Sequence, residues 1–191
     1  MKLALLSDIH ANLHAFEACL AHAEAAGAQG YALLGDLVGY GAFPAQVVQR
    51  AMRLAEAGAL MVKGNHDHYA NVAIADAQKM AHTGVAWTQE QLSAEERAFL
   101  AALPLTARTG RALLVHASAE APSHWHYVTT PQTAALSLEG AATPPIGSGE
   151  VRYVFGGHVH QQTLYFRGGA GRLMPFEPTP GVVIPVPRHR H

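Results

Sequence analysis

The chain has 191 residues, 49% of them hydrophobic, which is enough for one domain with a substantial core and short for two. Its 13 Lys and Arg residues against 14 Asp and Glu residues give a formal charge of -1, so no broad basic field attracts nucleic acid or an anionic membrane. We therefore expect no stable nucleic-acid binding, and any anion has to be bound locally.

Cysteine content and the N-terminal sequence bear on the compartment. The single cysteine, Cys19, cannot form an internal disulfide, and its setting in FEACLAHAEAA predicts a small buried helix residue rather than a nucleophile. The N-terminal apolar run meets Asp8 too soon for a signal sequence, and no later window approaches a membrane span. We therefore expect a cytoplasmic protein without membrane attachment.

Short apolar runs that end in a polar residue recur along the chain. Five runs have this form, namely KLALLSD, YALLGD, LMVKGN, ALLVH and RYVFGGH, and they fit strands buried on both faces. Helices are predicted between the first three runs, one capped by Asn12 and ending at Gly27, the other over residues 44–58. In a sheet wound this way, ligands bind beyond the carboxyl ends of the strands.

The remaining segments are predicted to flank that edge of the sheet. Residues 68–104 are interpreted as a helical insertion, in which SAEE carries a capping signature. Residues 119–149 are rich in Pro, Thr, Ser and Gly and predict a long loop with a weak helix at residues 133–138. A hairpin is predicted to turn at residues 168–171. No linker divides the chain, so residues 1–191 are interpreted as one domain.

The polar residues at the predicted strand ends have metal-binding chemistry. Two carboxylates, one amide and four imidazoles fall there: Asp8, His10, Asp36, Asn65, His116, His158 and His160. Each alone is more common as a turn, cap or packing residue, but that interpretation needs seven coincidences at one edge of one sheet. The Asp-x-His and His-x-His spacings put each pair on one side if strand geometry persists.

Mixed oxygen and nitrogen donors without thiolate favour first-row divalent ions over calcium or an oxygen-bound magnesium. Seven ligands are too many for one zinc and suit a pair of ions that share a carboxylate. Such a pair can hold a bridging hydroxide and clamp a phosphoryl group during in-line displacement. Two divalent ions, less the charges of Asp8, Asp36 and hydroxide, leave about one positive charge that attracts a phosphate.

The motifs SDIH, GDLVGYG, GNHD, VHAS and GHVH resemble, in order and approximate spacing, the five motifs of the calcineurin-like metallophosphoesterases. The resemblance covers residues 7–160 and implies an α/β fold, a four-layer α/β/β/α sandwich. It implies two divalent transition-metal ions as cofactors, manganese or iron before zinc, cobalt or nickel. By resemblance the first ion is held by Asp8, His10, Asp36 and His160. The second is held by Asp36, Asn65, His116 and His158, with Asp36 as the bridge.

The resemblance also implies a catalytic role for His66, which follows Asn65. Neighbouring residues of extended backbone face different ways, so His66 can bind the phosphoryl oxygen and protonate the departing alkoxide. Asp67 is predicted either to orient His66 or to cap the next segment. Surface or packing roles are predicted for the histidines on helical or peripheral stretches, namely His14, His22, His68 and His82.

Departures from the family pattern narrow the substrate. Gly39 and Tyr40 stand where the serine/threonine protein phosphatases carry Asp-Arg, and the missing arginine removes a bidentate phosphate clamp. The chain looks more like the small bacterial members, some of which cleave phosphodiesters or dinucleoside polyphosphates such as diadenosine tetraphosphate. Trp125, His126 and Tyr127 are predicted either to stack on a base or aryl group or to cover the core. The expected partner is a small phosphate ester, including monoesters, or a nucleotide.

The small bacterial members usually continue past the last motif through strands with an Asn-Pro-Gly-Ser type turn, which is absent before VVIPVPRHRH. The C-terminal part of the second sheet is therefore predicted to be incomplete or to be completed by another subunit in a homo-oligomer. The terminal RHRH is interpreted as a frayed end. The rival function is a metal-binding interaction scaffold that has lost catalysis. His66, together with all seven ligands, favours the enzyme.

Overall fold

A parallel three-stranded sheet forms the N-terminal half of the protein, which is described by a computed structural model over residues 1–73, 84–143, 150–168 and 171–184. Strands β1, β2 and β3 span Leu3–Leu6, Gly30–Leu33 and Leu60–Met61. The strand order is β1-β2-β3, and both pairings are parallel. The first three predicted strands are thus confirmed.

Two helices connect these strands as the sequence predicts. Helix α1 spans Leu13–Ala25 and is capped by the Asn12 side chain, which accepts a hydrogen bond from the backbone N–H of Ala15 at 3.1 Å. Helix α2 spans Pro44–Glu56, with proline in its first turn, where the missing N–H costs no hydrogen bond. Each helix returns the chain to start a parallel strand, which fixes the carboxyl ends of β1–β3 at one edge.

A second sheet carries the other two predicted strands. Strands β4, β5 and β6 span Thr106–Thr109, Ala112–Val115 and Tyr153–Phe155. Strand β5 pairs antiparallel with β4, which was not predicted, and parallel with β6. All five polar-ended runs are therefore strands, but the prediction of one sheet is wrong, because the last two pair with each other rather than with β1–β3.

Burial on both faces was also predicted for every one of these strands, and it is wrong for two of them. Leu5 in β1 and both Tyr153 and Phe155 in β6 are exposed. Both strands lie at the edge of their sheet in the described part of the chain, so they have a neighbour on one side only. An edge position leaves side chains accessible that a central strand would cover.

Four further helices and one hairpin make up most of the remaining regular structure of the described chain. Helices α3, α4, α5 and α6 span Asn65–Tyr69, Val85–Gln91, Ala94–Ala102 and Pro131–Ala142, with a 3-10 turn at Pro122–His124. Helices α4 and α5 occupy the described part of the predicted insertion, and α5 has the predicted capping box. Strands β7 (Leu164–Arg167) and β8 (Leu173–Phe176) form the predicted antiparallel hairpin.

The predicted loop over residues 119–149 is too long, because its weak helix is the twelve-residue α6. The Thr130 side chain caps this helix by accepting from the backbone N–H of Thr133 at 3.2 Å, and proline follows in the first turn. Alanines and leucines continue the helix, and its buried residues, Ala134, Ser137 and Ala141, recur at helical spacing. The irregular part before the helix is therefore only residues 119–130.

Three apolar clusters define the layers of the fold. The largest packs α1, α2 and α5 against the outer face of the first sheet through residues such as Phe16, Leu33 and Leu100. A second cluster joins the two sheets through Ala32, Leu34, Val62 and Leu114. A third joins the outer face of the second sheet to α6 through Leu113, Val115 and Ala141. This is the expected four-layer α/β/β/α sandwich.

The exposure of Cys19 and of the peripheral histidines tests the predictions made for these residues. Cys19 is exposed, so its predicted burial is wrong: α1 is rich in alanine on every side, and only Phe16 and Leu20 are buried along it. His14, His22 and His68 are exposed, whereas His82 and the RHRH end lie outside the described residues. No helix within the described ranges is both long and apolar enough to cross a membrane.

Candidate metal centre

The seven predicted ligands come together although they belong to two sheets. Side chains that follow the strands form three groups whose candidate donor atoms all lie within 4.8 Å of one another: Asp8, His10 and His160; His10, Asp36 and His66; Asp36, His116 and His158. The remaining predicted ligand, Asn65, places its Oδ1 atom 3.2 Å from Nε2 of His116. Consecutive groups share a residue, so the cluster is continuous.

One end of the cluster is formed by residues that follow β1 and β6. Nε2 of His10 lies 3.0 Å from Nε2 of His160. The same His160 atom lies 3.4 Å from Oδ1 of Asp8. Two imidazole nitrogens and a carboxylate oxygen therefore face a common point, which is the arrangement that a divalent transition metal requires.

The Asp36 carboxylate lies between this end and the other. Its Oδ2 atom is 3.8 Å from Nε2 of His10 and 3.2 Å from Nε2 of His116. Its Oδ1 atom accepts a hydrogen bond from the backbone N–H of His66 at 2.8 Å. One oxygen of Asp36 therefore reaches imidazoles from both ends of the cluster, while the other fixes the orientation of the carboxylate.

Backbone carbonyls orient three of the four imidazoles. One ring nitrogen of each is within hydrogen-bonding distance of a main-chain oxygen, in the pairs His10 Nδ1 and Val38 O (3.2 Å), His116 Nδ1 and Leu34 O (2.7 Å), and His158 Nε2 and Trp125 O (2.9 Å). When that nitrogen carries the proton and donates a hydrogen bond to the carbonyl, the opposite nitrogen keeps a free lone pair. This is the usual support of a metal-binding histidine. These hydrogen bonds could not be predicted from the sequence, because no sequence pattern reveals a backbone partner.

Left-handed backbone conformations aim these side chains. Five of the seven predicted ligands have positive φ, namely Asp8 (54°), His10 (48°), Asp36 (54°), His158 (70°) and His160 (57°). The premise that strand geometry persists past Asp8 and His158 is therefore wrong. Asp and His are among the residues that enter this region most readily, and such conformations cluster at functional sites.

A close approach of backbone to side chain holds the two sheets together at this point. The backbone N–H of His158 donates to both oxygens of Asp8, at 3.0 and 3.1 Å. Gly157 precedes it, and a Cβ atom at this position would overlap with the side chains of Ser7 and Asp8. Only glycine at position 157 therefore leaves room for the Asp8 carboxylate.

Helix α3 replaces the extended backbone that was predicted for Asn65 and His66. Gly64 is its N-cap, and the Asp67 carboxylate accepts the backbone N–H of Gly64 at 2.9 Å. Successive helical residues are turned by about 100°, so Asn65 and His66 still face different ways. The predicted extended backbone is wrong, but the predicted difference in direction between Asn65 and His66 is kept.

Asp67 also holds the loop that follows β2. Its carboxylate accepts hydrogen bonds from the backbone N–H groups of Asp36, Leu37 and Val38 at 2.9, 2.9 and 3.3 Å. Burial and the neighbouring Asp36 carboxylate raise the pKa of Asp67 to about 7, against the effect of these donors. Of the two predicted roles, the structure therefore shows the cap, and the carboxylate joins two ligand-bearing loops instead of contacting the imidazole of His66.

His66 is buried beside the cluster with one ring nitrogen unpaired. Its Nδ1 is the only buried side-chain nitrogen or oxygen without a hydrogen-bond partner among the described residues. The ring packs against those of His10, Tyr40 and Tyr69, with centroids 5.0, 4.5 and 5.9 Å away. The Nδ1 nitrogen faces Gly39, where a Cβ atom would overlap with it, so glycine at position 39 makes room for the ring.

Burial keeps several imidazoles of the cluster neutral. Burial lowers the pKa values of His10, His66 and His158. Burial opposes the charged form of His116 as well, but its hydrogen bond to Asp36 and the charge of that carboxylate outweigh it and raise its pKa. Burial also raises the pKa of Asp36, but the hydrogen bond and the charge of His116 outweigh burial and lower this pKa. Neutral imidazoles and an ionised carboxylate are the metal-binding forms.

The aromatic residues of the 119–130 segment lie over the second half of the cluster. The ring of Tyr127 stacks on that of His158 at 4.0 Å, and Trp125 lies 6.2 Å from His116 and 6.1 Å from His68. His126 instead pairs with an exposed glutamate, Nδ1 to Oε2 of Glu120 at 3.5 Å. Of the three predicted stacking residues, Trp125 and Tyr127 are therefore at the site, whereas His126 is turned towards Glu120.

Comparison with known proteins agrees with this fold. The family model for calcineurin-like phosphoesterase matches residues 1–162. The crystal structure of a metallophosphoesterase from Sphaerobacter thermophilus superposes with a TM-score of 0.78 at 32% sequence identity, covering 96% of this chain and 71% of that one. An uncharacterized protein of Methanocaldococcus jannaschii is 32% identical over 132 residues, which are 66% of this chain and 53% of the relative.

The chain therefore belongs to the calcineurin-like phosphoesterase family, a family of metal-dependent phosphoric ester hydrolases. It spans about half the length of the curated relative that it matches. The donor set fits metal ions on structural grounds of its own, because imidazoles and carboxylates converge there without a thiolate.

Proposed function

We propose that this protein is a dinuclear metal-dependent phosphoesterase that hydrolyses small phosphate esters, with phosphodiesters and nucleotides as its preferred class. The observation that carries the proposal is the position of Asp36, whose Oδ2 atom lies 3.8 Å from His10 and 3.2 Å from His116. A carboxylate shared between two groups of imidazoles is the feature expected of a two-ion site and not of a single structural zinc.

The ligands are proposed to divide as the motif order implies. One ion would be held by Asp8, His10, Asp36 and His160, and the other by Asp36, Asn65, His116 and His158. Manganese or iron suits this oxygen and nitrogen set, with zinc, cobalt and nickel as alternatives. Two such ions supply Lewis-acid activation of water and neutralisation of the phosphoryl charge.

His66 is proposed to bind the phosphoryl group and to pass a proton to the leaving oxygen. Its ring is buried and lies 5.0 Å from that of His10, one of the proposed ligands. Its lowered pKa leaves a neutral ring that can donate an N–H hydrogen bond, and an anionic ester beside it would favour the protonated form. General-acid help of this kind contributes about 10²- to 10⁴-fold in rate.

Asp67 is proposed as a positioning residue instead of a group that touches the substrate. It holds the backbone of Asp36 and the start of α3 through hydrogen bonds to Asp36 N and Gly64 N, both 2.9 Å. These two segments carry the shared carboxylate and His66. The relative position of nucleophile and acid therefore depends on one buried carboxylate.

The preference for nucleotides and aryl esters is proposed from the exposed tyrosines beside the cluster. Tyr127 stacks on His158 yet remains exposed, and Tyr40 is exposed beside His10 at 4.7 Å. Trp125 is half-buried and supplies its carbonyl to His158, so Tyr127 is the better stacking residue. Aromatic side chains stack on bases of any identity.

The experiment is hydrolysis of an aryl phosphomonoester, an aryl phosphodiester and diadenosine tetraphosphate, measured after metal is stripped and manganese is restored. We expect metal-dependent turnover that His66→Asn lowers by about 10²- to 10⁴-fold. The matched control is His68→Asn, because His68 is exposed and contacts Tyr69 and Trp125 rather than the cluster. An alkyl phosphate ester is tested alongside, because its leaving oxygen needs the proton most, and full activity of His66→Asn on this ester would refute the acid role.

The same assay separates the enzyme from a scaffold. A protein that binds two ions but hydrolyses none of the three esters would be a metal-binding interaction module of this fold. For the substrate preference, Tyr127→Ala should raise KM for the dinucleotide more than for a small alkyl diester. Equal effects of this substitution on both substrates would remove the argument for stacking.

A further inference from the structure

Strand β1 has an open edge on the side away from β2. The carbonyl of Leu6 accepts from Leu34 N at 2.8 Å, and Asp8 N donates to Gly35 O at 3.1 Å, so the even-numbered residues face β2. The N–H and C=O groups of Leu3, Leu5 and Ser7 therefore point to the other side, since successive residues of a strand alternate. No strand within the described ranges pairs with β1 there.

A groove of about 790 Å³ runs along this open edge. One wall is β1, and the other is a line of residues at helical spacing in α1 and its C-cap: Ala15, Cys19, His22 and Ala26. Parallel sheets normally have helices over both faces. Cys19 lies in the wall that α1 forms, so the open groove leaves its side chain exposed, contrary to its predicted burial.

The same chain carries a strand-forming segment that pairs with no strand among the described residues. Val182, Val183 and Ile184 are 62%, 87% and 37% exposed. Three consecutive β-branched residues favour extended backbone, and a short hydrophobic run of this type is the natural complement of a free sheet edge. In the structure this segment does not lie on β1 of its own chain, whose edge remains open.

We propose that the groove beside β1 receives the Val182–Ile184 segment of a second copy of this chain, which adds a strand to the first sheet. Exchange in both directions about a two-fold axis buries each segment and closes both edges. From the exposed fractions above, each segment covers roughly 300 Å² and hides a similar area of groove. Two reciprocal contacts then remove roughly 1,200 Å² from water, at the lower end of the range for stable interfaces.

The native Cys19 provides the test. Val182→Cys, Val183→Cys and Ile184→Cys are made singly in the full chain and exposed to mild oxidation, with Cys19 as the only other thiol. Because side chains of a docked strand alternate, we expect disulfide-linked dimers either at 182 and 184 or at 183, not at all three. The controls are the wild type, each variant combined with Cys19→Ala, and Met174→Cys on β8, which is exposed elsewhere.

Each other outcome overturns the proposal. A disulfide within one chain would show that the segment folds back onto its own β1. Linkage of all three variants to the same extent, or of Met174→Cys as readily, would show random collision. Absence of any disulfide-linked product would show that the segment does not lie in the groove.

Solution mass gives an independent readout. Light scattering at about 5 to 100 µM protein should give a dimer for the wild type and a monomer for Val183→Asp, a substitution at a side chain that is 87% exposed and outside the core. Amide exchange at Leu5 should be slow in the dimer and at least tenfold faster in that variant. A wild-type monomer throughout this range, or equal exchange in both proteins, would overturn the proposal.

Discussion

Replacement of Asp67 by asparagine should weaken metal binding although Asp67 is not a proposed ligand. Its two oxygens accept four backbone N–H groups, those of Gly64, Asp36, Leu37 and Val38. An amide keeps one oxygen, so about two of these donors lose their acceptor and face an NH₂ group. Each buried unpaired donor costs roughly 1–3 kcal/mol, so two give a loss of about 2–6 kcal/mol in the free energy of unfolding.

The effect on the metal centre follows from which loops Asp67 joins. Release of the Asp36 backbone lets the shared carboxylate move relative to His116, now 3.2 Å away. Changes to residues that support ligands typically weaken metal affinity by about 10- to 100-fold. Calorimetric titration of stripped protein with manganese measures the affinity, and thermal unfolding without metal measures the stability.

Glu96→Gln is the matched control for this substitution. Glu96 is also a buried capping-box carboxylate, and it accepts from Ser93 N at 2.8 Å and Gln49 Nε2 at 2.7 Å. It lies in α5 and supports no proposed ligand, so stability should fall by roughly 1 kcal/mol with manganese affinity unchanged. Wild-type manganese affinity in Asp67→Asn, or an equal loss in Glu96→Gln, would refute the reasoning.

Three further outcomes are expected. Asp36→Asn should reduce manganese stoichiometry below two per chain and lower turnover by at least about 10³-fold, since both ions lose a charged ligand; two tightly bound ions in this variant would contradict a shared carboxylate. Gly157→Ala should displace Asp8 and cost roughly 1–3 kcal/mol, whereas Gly156→Ala, whose Cβ would lie 3.2 Å from backbone oxygens, should cost less; equal melting temperatures would contradict this. Manganese at 100 times its Kd should stabilise the wild type by about 2.7 kcal/mol for each ion bound, seen as a higher Tm, and an unchanged Tm would argue against binding to the folded state.

The sequence reveals the ligand set because strand ends have a local pattern. Asp36 and His116 each follow a short apolar run, and that rhythm is readable without knowing which strands pair. Sheet membership is not readable in this way. Strand β5 joins β4 and β6 instead of β1–β3 because of side-chain packing across the whole domain, such as that of Leu114 between the sheets.

The details that aim the side chains also depend on distant residues. Helix α3 begins at Asn65 because Asp67 accepts the backbone N–H of the N-cap Gly64 and three others from the loop after β2. His158 is oriented by the carbonyl of Trp125, 33 residues away in the chain. Such contacts leave no periodic signal in the sequence, so the extended backbone predicted for Asn65 was replaced by a helix. Cys19 was misplaced because alanine-rich α1 shows little contrast between its faces.

The most direct measurement of the central claim is turnover of an aryl phosphodiester by stripped protein as manganese is added in known equivalents. Two ions sharing Asp36 predict little activity up to one equivalent and a plateau at two per chain. A plateau at one equivalent, or no hydrolysis when two ions are bound, would contradict a two-ion phosphoesterase.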